Sequence, residues 1–287
     1  MKAAGRTAAF IRLARSSNLP SVWTNSLTAW ILAGGTASES ASLWILLCGG
    51  SLVYAGGAVL NDAFDVEFDR RHRPERPIPA GLLSTRSVWI TGLLALAAGS
   101  ALLAWRASPG LAAALAIAIL FYDGIHKKWV GAVWIMAACR ALLACVVASA
   151  AAPGSLPGLT NLLHAGALFV HTAAITYTAR SESSPGHFRR WPLFLLMAPL
   201  PASFALRIPP EPWFWIAATA LLGWTLVAVA RLRGSEPARI GRCVAALLAG
   251  FILVDALFLA QSSPVLLPIA GALFGFTLLL QRSIPAT

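Results

Sequence analysis

Ten apolar stretches dominate the chain, at residues 20–36, 42–62, 87–105, 109–123, 130–152, 158–179, 191–207, 211–231, 240–260 and 264–281. A helix that crosses a bilayer needs about 20 mostly apolar residues. So many segments of that kind exceed what a single soluble core can cover. Only 11% of the 287 residues are charged, against about 25% in a soluble domain. The sequence therefore predicts an all-α, polytopic integral membrane bundle. The 109–123 stretch is short for a full crossing.

The basic residues test this division. Lys and Arg concentrate in cytoplasmic loops. With the N-terminus inside, Lys2, Arg6, Arg12 and Arg15, the arginines at 70, 71, 73, 76 and 86, Lys127 and Lys128, and those at 180, 189, 190, 231, 233, 239, 242 and 282 all fall on one side. Arg106 and Arg207 fall on the other, and Arg140 lies within a span. The alternation predicts a cytoplasmic N-terminus. The excess of Arg over Lys and the richness in Ala and Leu suggest a GC-rich bacterial source, hence a bacterial inner membrane. A net charge of +11 would suggest nucleic-acid binding in a soluble chain, but no basic recognition element accompanies it. The partner expected is membrane lipid, with no nucleic acid.

Cys48, Cys139, Cys145 and Cys243 stand singly in apolar runs, without zinc-ligand spacing. Residues 1–18 lack the continuous apolar core of a secretory signal and read as an interfacial helix. Most of the tryptophans fall near span ends, as an interfacial aromatic belt does.

Acid is concentrated at one place. Five of eleven acidic residues lie between positions 62 and 75, at the predicted cytoplasmic end of the second span. Asn61, Asp65 and Asp69 recur every four residues and Asp62 precedes Asp65 by three, so a helix would place all four on one face, with Glu67 pointing elsewhere. Such a face is self-repelling unless a cation lies between the carboxylates, and Mg2+ suits hard oxygen ligands and phosphate substrates. Arg70, Arg71, Arg73 and Arg76 follow at once, and guanidinium groups bind phosphate oxygens. Acid, metal and base at the mouth of an apolar bundle suit a diphosphate that carries a hydrocarbon tail. The plainer reading is a solvated helix end neutralised by the loop arginines.

The run Asn61-Asp62-x-x-Asp65-x-x-x-Asp69, followed by Arg76-Pro77 and Pro79-Ala80-Gly81, resembles the first aspartate-rich motif of the UbiA family of intramembrane prenyltransferases. Arg15 and Pro20 entering the first span, Tyr122 and Lys127-Lys128 extend the resemblance over about residues 12–260. It implies nine helices around a cavity, with a probable tenth added, and Mg2+-dependent transfer of a prenyl group from an isoprenyl diphosphate donor to a hydrophobic acceptor, aromatic or lipid-like. Its domain reading is an interfacial segment at 1–18, the bundle at 19–262, and an additional C-terminal helix and tail at 263–287.

By the same resemblance Asn61, Asp62, Asp65 and Asp69 are the catalytic and metal residues, and Arg76 with Lys127 or Lys128 holds the diphosphate. The family's second acidic motif should follow the sixth span. Thr178-Ala179-Arg180-Ser181-Glu182-Ser183-Ser184 stands there instead, with Glu182 its single carboxylate. Glu182, with the hydroxyls of Ser181 and Ser183, would hold a second Mg2+ through water, or Arg180 would replace that ion. The departure leaves a second possibility, a polyprenyl-diphosphate binding or carrier protein with little turnover. The segments around Tyr122, Arg140 and Arg180 look most like the EboC branch.

Three further groups stand out. Arg140, a cation within a span, requires a partner or a cavity: either it binds phosphate or acceptor, or it pairs with an acid such as Asp255. His164 and His171, seven residues apart on the sixth span, share a face and read as cavity residues rather than metal ligands. Phe64, Phe68 and Tyr122 are placed to stabilise an allylic cation, or simply to pack.

Overall fold

The structure, a computed structural model, describes residues 2–36, 40–154, 157–180, 191–232 and 237–286. Among the described residues the secondary structure is helical, without strands. An N-terminal helix α1 (Lys2–Leu13) leads through a short turn at Ser16–Asn18 into α2 (Leu19–Leu32), α3 (Ser40–Phe64), α4 (Val66–His72), α5 (Thr85–Arg106), α6 (Pro109–Ile125), α7 (Ala132–Ala151) and α8 (Leu159–Arg180). There follow α9 (Pro199–Phe204), α10 (Pro212–Ala230), α11 (Pro237–Ala249), α12 (Phe251–Ser262) and α13 (Leu267–Leu280). Six helical units among the described residues are long and apolar enough to cross a membrane, α11 and α12 counting as one across Ala238–Ser262. Large apolar side chains such as Trp44, Leu94, Ile117 and Leu226 point outward, as lipid-facing residues do.

Two predicted spans are not single helices. Residues 191–207 begin as a 3₁₀ segment, Trp191–Met197, and continue as the short α9. Pro192, Pro199 and Pro201 lack the N–H that a continuous α-helix needs, and a length-and-hydropathy rule is blind to that. Residues 240–260 divide at Gly250 into α11 and α12.

The interior is organised around α12, which is buried along nearly its whole length and packs against α2, α8 and α10. Elsewhere small residues allow helices to touch through their backbones. A Cβ on Gly56 of α3 would come within 2.7 Å of the Leu96 nitrogen of α5, and one on Gly99 would come within 2.7 Å of the Gly49 carbonyl. The helix α13 lies against α2 and α12, and the chain beyond it returns to the start of α2. There Asn18 Nδ2 donates to the Ala286 carbonyl at 2.9 Å and to Tyr54 Oη at 3.0 Å.

Contacts between helix ends fall into two groups. At one end of the bundle, Arg106 meets Ser42, and the Glu211 amide donates to Gln261 Oε1 at 2.8 Å. At the other end lie the ends of α3, α6 and α8, the start of α2 and the 285–286 tail. Among the described residues, that second end carries Arg15, Arg76, Lys127 and Arg180.

Candidate active site

The helix α3 ends at Phe64, and Asp65 forms a single turn residue before α4. Hydrogen bonds from the Asp65 amide to the Asn61 carbonyl, 3.0 Å, and from the Asp69 amide to the Asp65 carbonyl, 2.9 Å, carry helical spacing across the joint. The shared face expected from the sequence therefore survives the break. Asn61, Asp62, Asp65 and Asp69 are all buried, whereas Glu67 is exposed and pairs with Arg70 at 2.8 Å.

The carboxylates do not face one another bare. Arg76 Nη1 donates to Asp62 Oδ1 at 2.8 Å, and its Nε lies 3.9 Å from Asp69 Oδ2. Lys127 Nζ is 3.0 Å from Asp65 Oδ2, and His126 Nε2 is 3.3 Å from Asp65 Oδ1. Arg15 Nη2 donates to Asn61 Oδ1 at 3.2 Å and stands 3.5 Å from Asp62. The loop base Arg76 and the bases from two other segments thus occupy the places where the sequence reading set a metal ion. Among the described residues no three His, Cys, Asp or Glu side chains gather at metal-binding distance. The donor set still fits Mg2+ in kind: hard oxygens, with Asp69 Oδ1 buried and without a hydrogen-bond partner.

The two acids outside the span respond oppositely. Burial pushes Asp65 upward, but the hydrogen bond and charge of His126, with Lys127, outweigh it and hold the carboxyl below its ordinary range. Asp69 is raised, by burial first and by the neighbouring Asp62 and Asp65, with Arg76 opposing. An acid without a close donor in a cluster of like charges behaves so.

Several members of the cluster were not among the sequence candidates for the site. Asp123, near the end of α6, accepts from Asn61 Nδ2 at 3.0 Å, and its second oxygen is buried without a partner. His126 caps the same helix, its Nδ1 3.2 Å from the Asp123 carbonyl oxygen. Arg15 reaches the acids from a left-handed backbone conformation, φ 46°, which is uncommon for a residue with a side chain. Asp123 had one usable signal, as one of few acids in the chain, one residue after the aromatic Tyr122.

Of the predicted residues, Lys127 joins the acids and also lies 4.2 Å over the Phe68 ring, while Lys128 is exposed. Tyr122 stacks on His126 with centroids 5.0 Å apart. Phe64 turns away to pack edge-on against Trp89, so it does not line the cluster. Arg180 donates to the His126 carbonyl at 2.6 Å, which ties the end of α8 to the site. Glu182, Ser181 and Ser183 lie outside the described residues.

Deeper in the bundle, Arg140 does not pair with Asp255. The Asp255 carboxylate is taken by His164 Nε2 at 2.8 Å and by the Asn25 amide at 2.6 Å. His164 and His171 share a face as expected, each set edge-on to an aromatic ring of α12. Two cavities lie elsewhere. One of about 240 Å3 sits at the opposite end of the bundle beside Asn161, and an apolar one of about 380 Å3 lies between α9 and α10 beside Phe204 and Trp215.

Comparison with known proteins identifies the family. The model of the UbiA prenyltransferase family matches residues 21–248. A digeranylgeranylglyceryl phosphate synthase of Ignicoccus hospitalis is 34% identical over 132 residues, 46% of this chain and 43% of the relative. A protoheme IX farnesyltransferase of Salinispora tropica is 31% identical over 125 residues, 42% and 39% of the two chains. A second digeranylgeranylglyceryl phosphate synthase, from Methanoculleus marisnigri, is 42% identical over 76 residues, 26% of each. The matches thus span between about a quarter and under half of the relatives' length. Similarity of fold runs further. A solved structure of a digeranylgeranylglyceryl phosphate synthase superposes with a TM-score of 0.62 at 16% identity, covering 90% of this chain and 98% of the other. A UbiA homologue from Aeropyrum pernix gives 0.52 at 17% identity, over 94% and 95%. These matches reach the family, and the EboC branch stays an expectation from the sequence.

Proposed function

The chain belongs to the UbiA prenyltransferase family and is an integral membrane protein, and from that premise we propose that it transfers a prenyl group from an isoprenyl diphosphate to a hydrophobic acceptor, aromatic or lipid-like, within the membrane. One observation carries the reading: four buried acid or amide side chains and four bases from three segments meet at the end of an apolar bundle. A diphosphate with a hydrocarbon tail has both chemistries, a charged head for the cluster and a tail for the bundle.

In this proposal Asn61, Asp62, Asp65 and Asp69 hold Mg2+, which when bound supplies positive charge to the leaving diphosphate. Arg76, Lys127 and Arg15 leave their carboxylate partners for the phosphate oxygens, and Arg180 and Tyr122 complete the mouth; Glu182 is assigned a part in binding from its place in the sequence alone. Donors aimed at the charge that develops on the leaving group give the main stabilisation. The C1–O bond breaks with its electron pair going to the diphosphate, the acceptor's nucleophile bonds to C1, and the acceptor loses a proton. The apolar bundle keeps water from C1, which would otherwise yield the prenyl alcohol. We further assign residues 1–18 to the cytoplasmic face of a bacterial inner membrane, 19–262 to the catalytic bundle and 263–287 to an added helix and tail.

The test is transfer of label. Purified protein with Mg2+, radiolabelled C5 to C20 prenyl diphosphates and a membrane lipid extract should yield a labelled product distinct from donor and prenyl alcohol. Donor bound tightly and recovered intact would replace this reading with a carrier.

A further inference from the structure

Arg15 reaches the acids from a backbone conformation that suits glycine better than arginine. Its φ of 46° and ψ of 46° are left-handed, and for a residue with a side chain that region costs about as much as one hydrogen bond returns. Such a residue persists where its surroundings hold it. The reversal separates α1 from the turn at Ser16–Asn18 and sets the guanidinium against Asn61 and Asp62. Ordinary helical values at residue 15 would send α1 and this side chain in a new direction.

The turn is held from two sides. Asn18, buried, donates through Nδ2 to Tyr54 Oη at 3.0 Å and to the Ala286 carbonyl at 2.9 Å. Ser17, also buried, donates to the Pro285 carbonyl at 3.5 Å. Within the turn the Asn18 amide donates to the Arg15 carbonyl at 3.0 Å, so the residue with the outside partners is bonded directly to the left-handed one. Tyr54 and Asn61 stand seven residues apart on α3, hence on one face. One helix face therefore receives both Asn18 and Arg15. On the other side, α13 packs against α2 and the turn, and the chain after it delivers the carbonyls of Pro285 and Ala286, the latter buried.

We infer that Asn18 is a positioning residue for the prenyl donor: by tying the turn to Tyr54 of α3 and to the Ala286 carbonyl, it sets the Arg15 backbone and aims the guanidinium at the diphosphate. This rests on the proposed function, in which Arg15 binds that head group. It also gives α13 a part in the site, since this helix returns the segment that closes the clamp. Arg76 has its own support, a loop in which its carbonyl accepts from the Ala80 amide at 2.9 Å, so the clamp acts on Arg15 and not on Arg76.

Binding of inorganic pyrophosphate with Mg2+ to the full chain in detergent reads this without turnover. Calorimetry is run on the wild type, Asn18→Ala, Tyr54→Phe and Arg15→Gln, and on Asn18→Ala combined with Arg15→Gln or with Arg76→Gln, with unfolding midpoints beside it. Asn18→Ala should weaken binding roughly tenfold. Tyr54→Phe, which removes only the acceptor oxygen and so serves if Asn18→Ala does not fold, should weaken it about threefold. The Asn18→Ala loss should vanish in the Arg15→Gln background and persist in Arg76→Gln. A purely structural role would lower the midpoint in every background and leave binding alone. Binding unchanged in the folded variants, or the same loss with and without Arg15, would overturn the assignment while the transferase reading stands. An Arg15-dependent loss in a protein that transfers no label keeps the clamp and removes the transferase. Pyrophosphate not bound by the wild type would overturn both.

Discussion

Asn61 of α3 and Asp123 of α6 are joined across the bundle by a 3.0 Å hydrogen bond from the Asn61 amide to Asp123 Oδ1, with both residues buried. The same Asn61 accepts from Arg15 through its carbonyl. One carboxamide thus fixes three segments, the entry to α2, the end of α3 and the end of α6, around the acids.

Asp123→Ala leaves the Asn61 amide without its acceptor and should lower stability by about 1 to 3 kcal/mol, read as a drop in the unfolding midpoint in detergent. Asp123→Asn keeps an oxygen at the same place and should retain most of that stability. Equal losses in the two variants would show that charge, rather than the hydrogen bond, is what matters at this position.

Arg76 spans Asp62 and Asp69, so Arg76→Ala removes one cation from two buried acids. The expected loss in kcat/KM for the prenyl donor is roughly tenfold to a hundredfold. Arg76→Lys should recover only part, since a point charge cannot reproduce two directions of the guanidinium fork. Steady-state kinetics with a fixed acceptor extract decides this, and an unaffected Arg76→Ala would remove the residue from the site.

The two adjacent lysines should separate cleanly. Lys127 touches Asp65 and covers Phe68, and Lys128 is exposed. Lys127→Ala should lower turnover about tenfold or more, while Lys128→Ala should leave stability within about 0.5 kcal/mol and change turnover little. The reverse order would mean that the loop turns its other lysine to the substrate.

Asn18 links the C-terminal tail to the bundle through the Ala286 carbonyl and Tyr54 Oη. Asn18→Ala should reduce stability by about 1 to 3 kcal/mol and loosen the segment that carries Arg15. Hydrogen exchange across residues 15–20 and 282–286 should rise together; a rise confined to one of them would show that the two are not coupled.

The face formed by Asn61, Asp62, Asp65 and Asp69 was legible because it depends only on local helical spacing, which one turn residue at Asp65 did not disturb. Arg15, Asp123 and His126 were harder to place, since they reach the cluster from segments dozens of residues away, and nothing periodic marks them. Arg140 and Asp255 invited pairing as opposite charges inside spans, yet His164 and Asn25 hold the acid. Partner choice in a core is set by packing, which spacing does not encode. The seventh stretch failed as a single helix because its prolines remove backbone donors, a fact visible in the sequence but outside a hydropathy rule.

In the proposed reaction the buried acids support Mg2+-dependent departure of diphosphate. The direct measurement is pyrophosphate release by the purified protein from a prenyl diphosphate with membrane lipid extract as acceptor, in Mg2+ and in chelator, beside Asp65→Ala. Release should require Mg2+ and be lost in Asp65→Ala while the variant remains folded. Release that persists in chelator or in folded Asp65→Ala would contradict it.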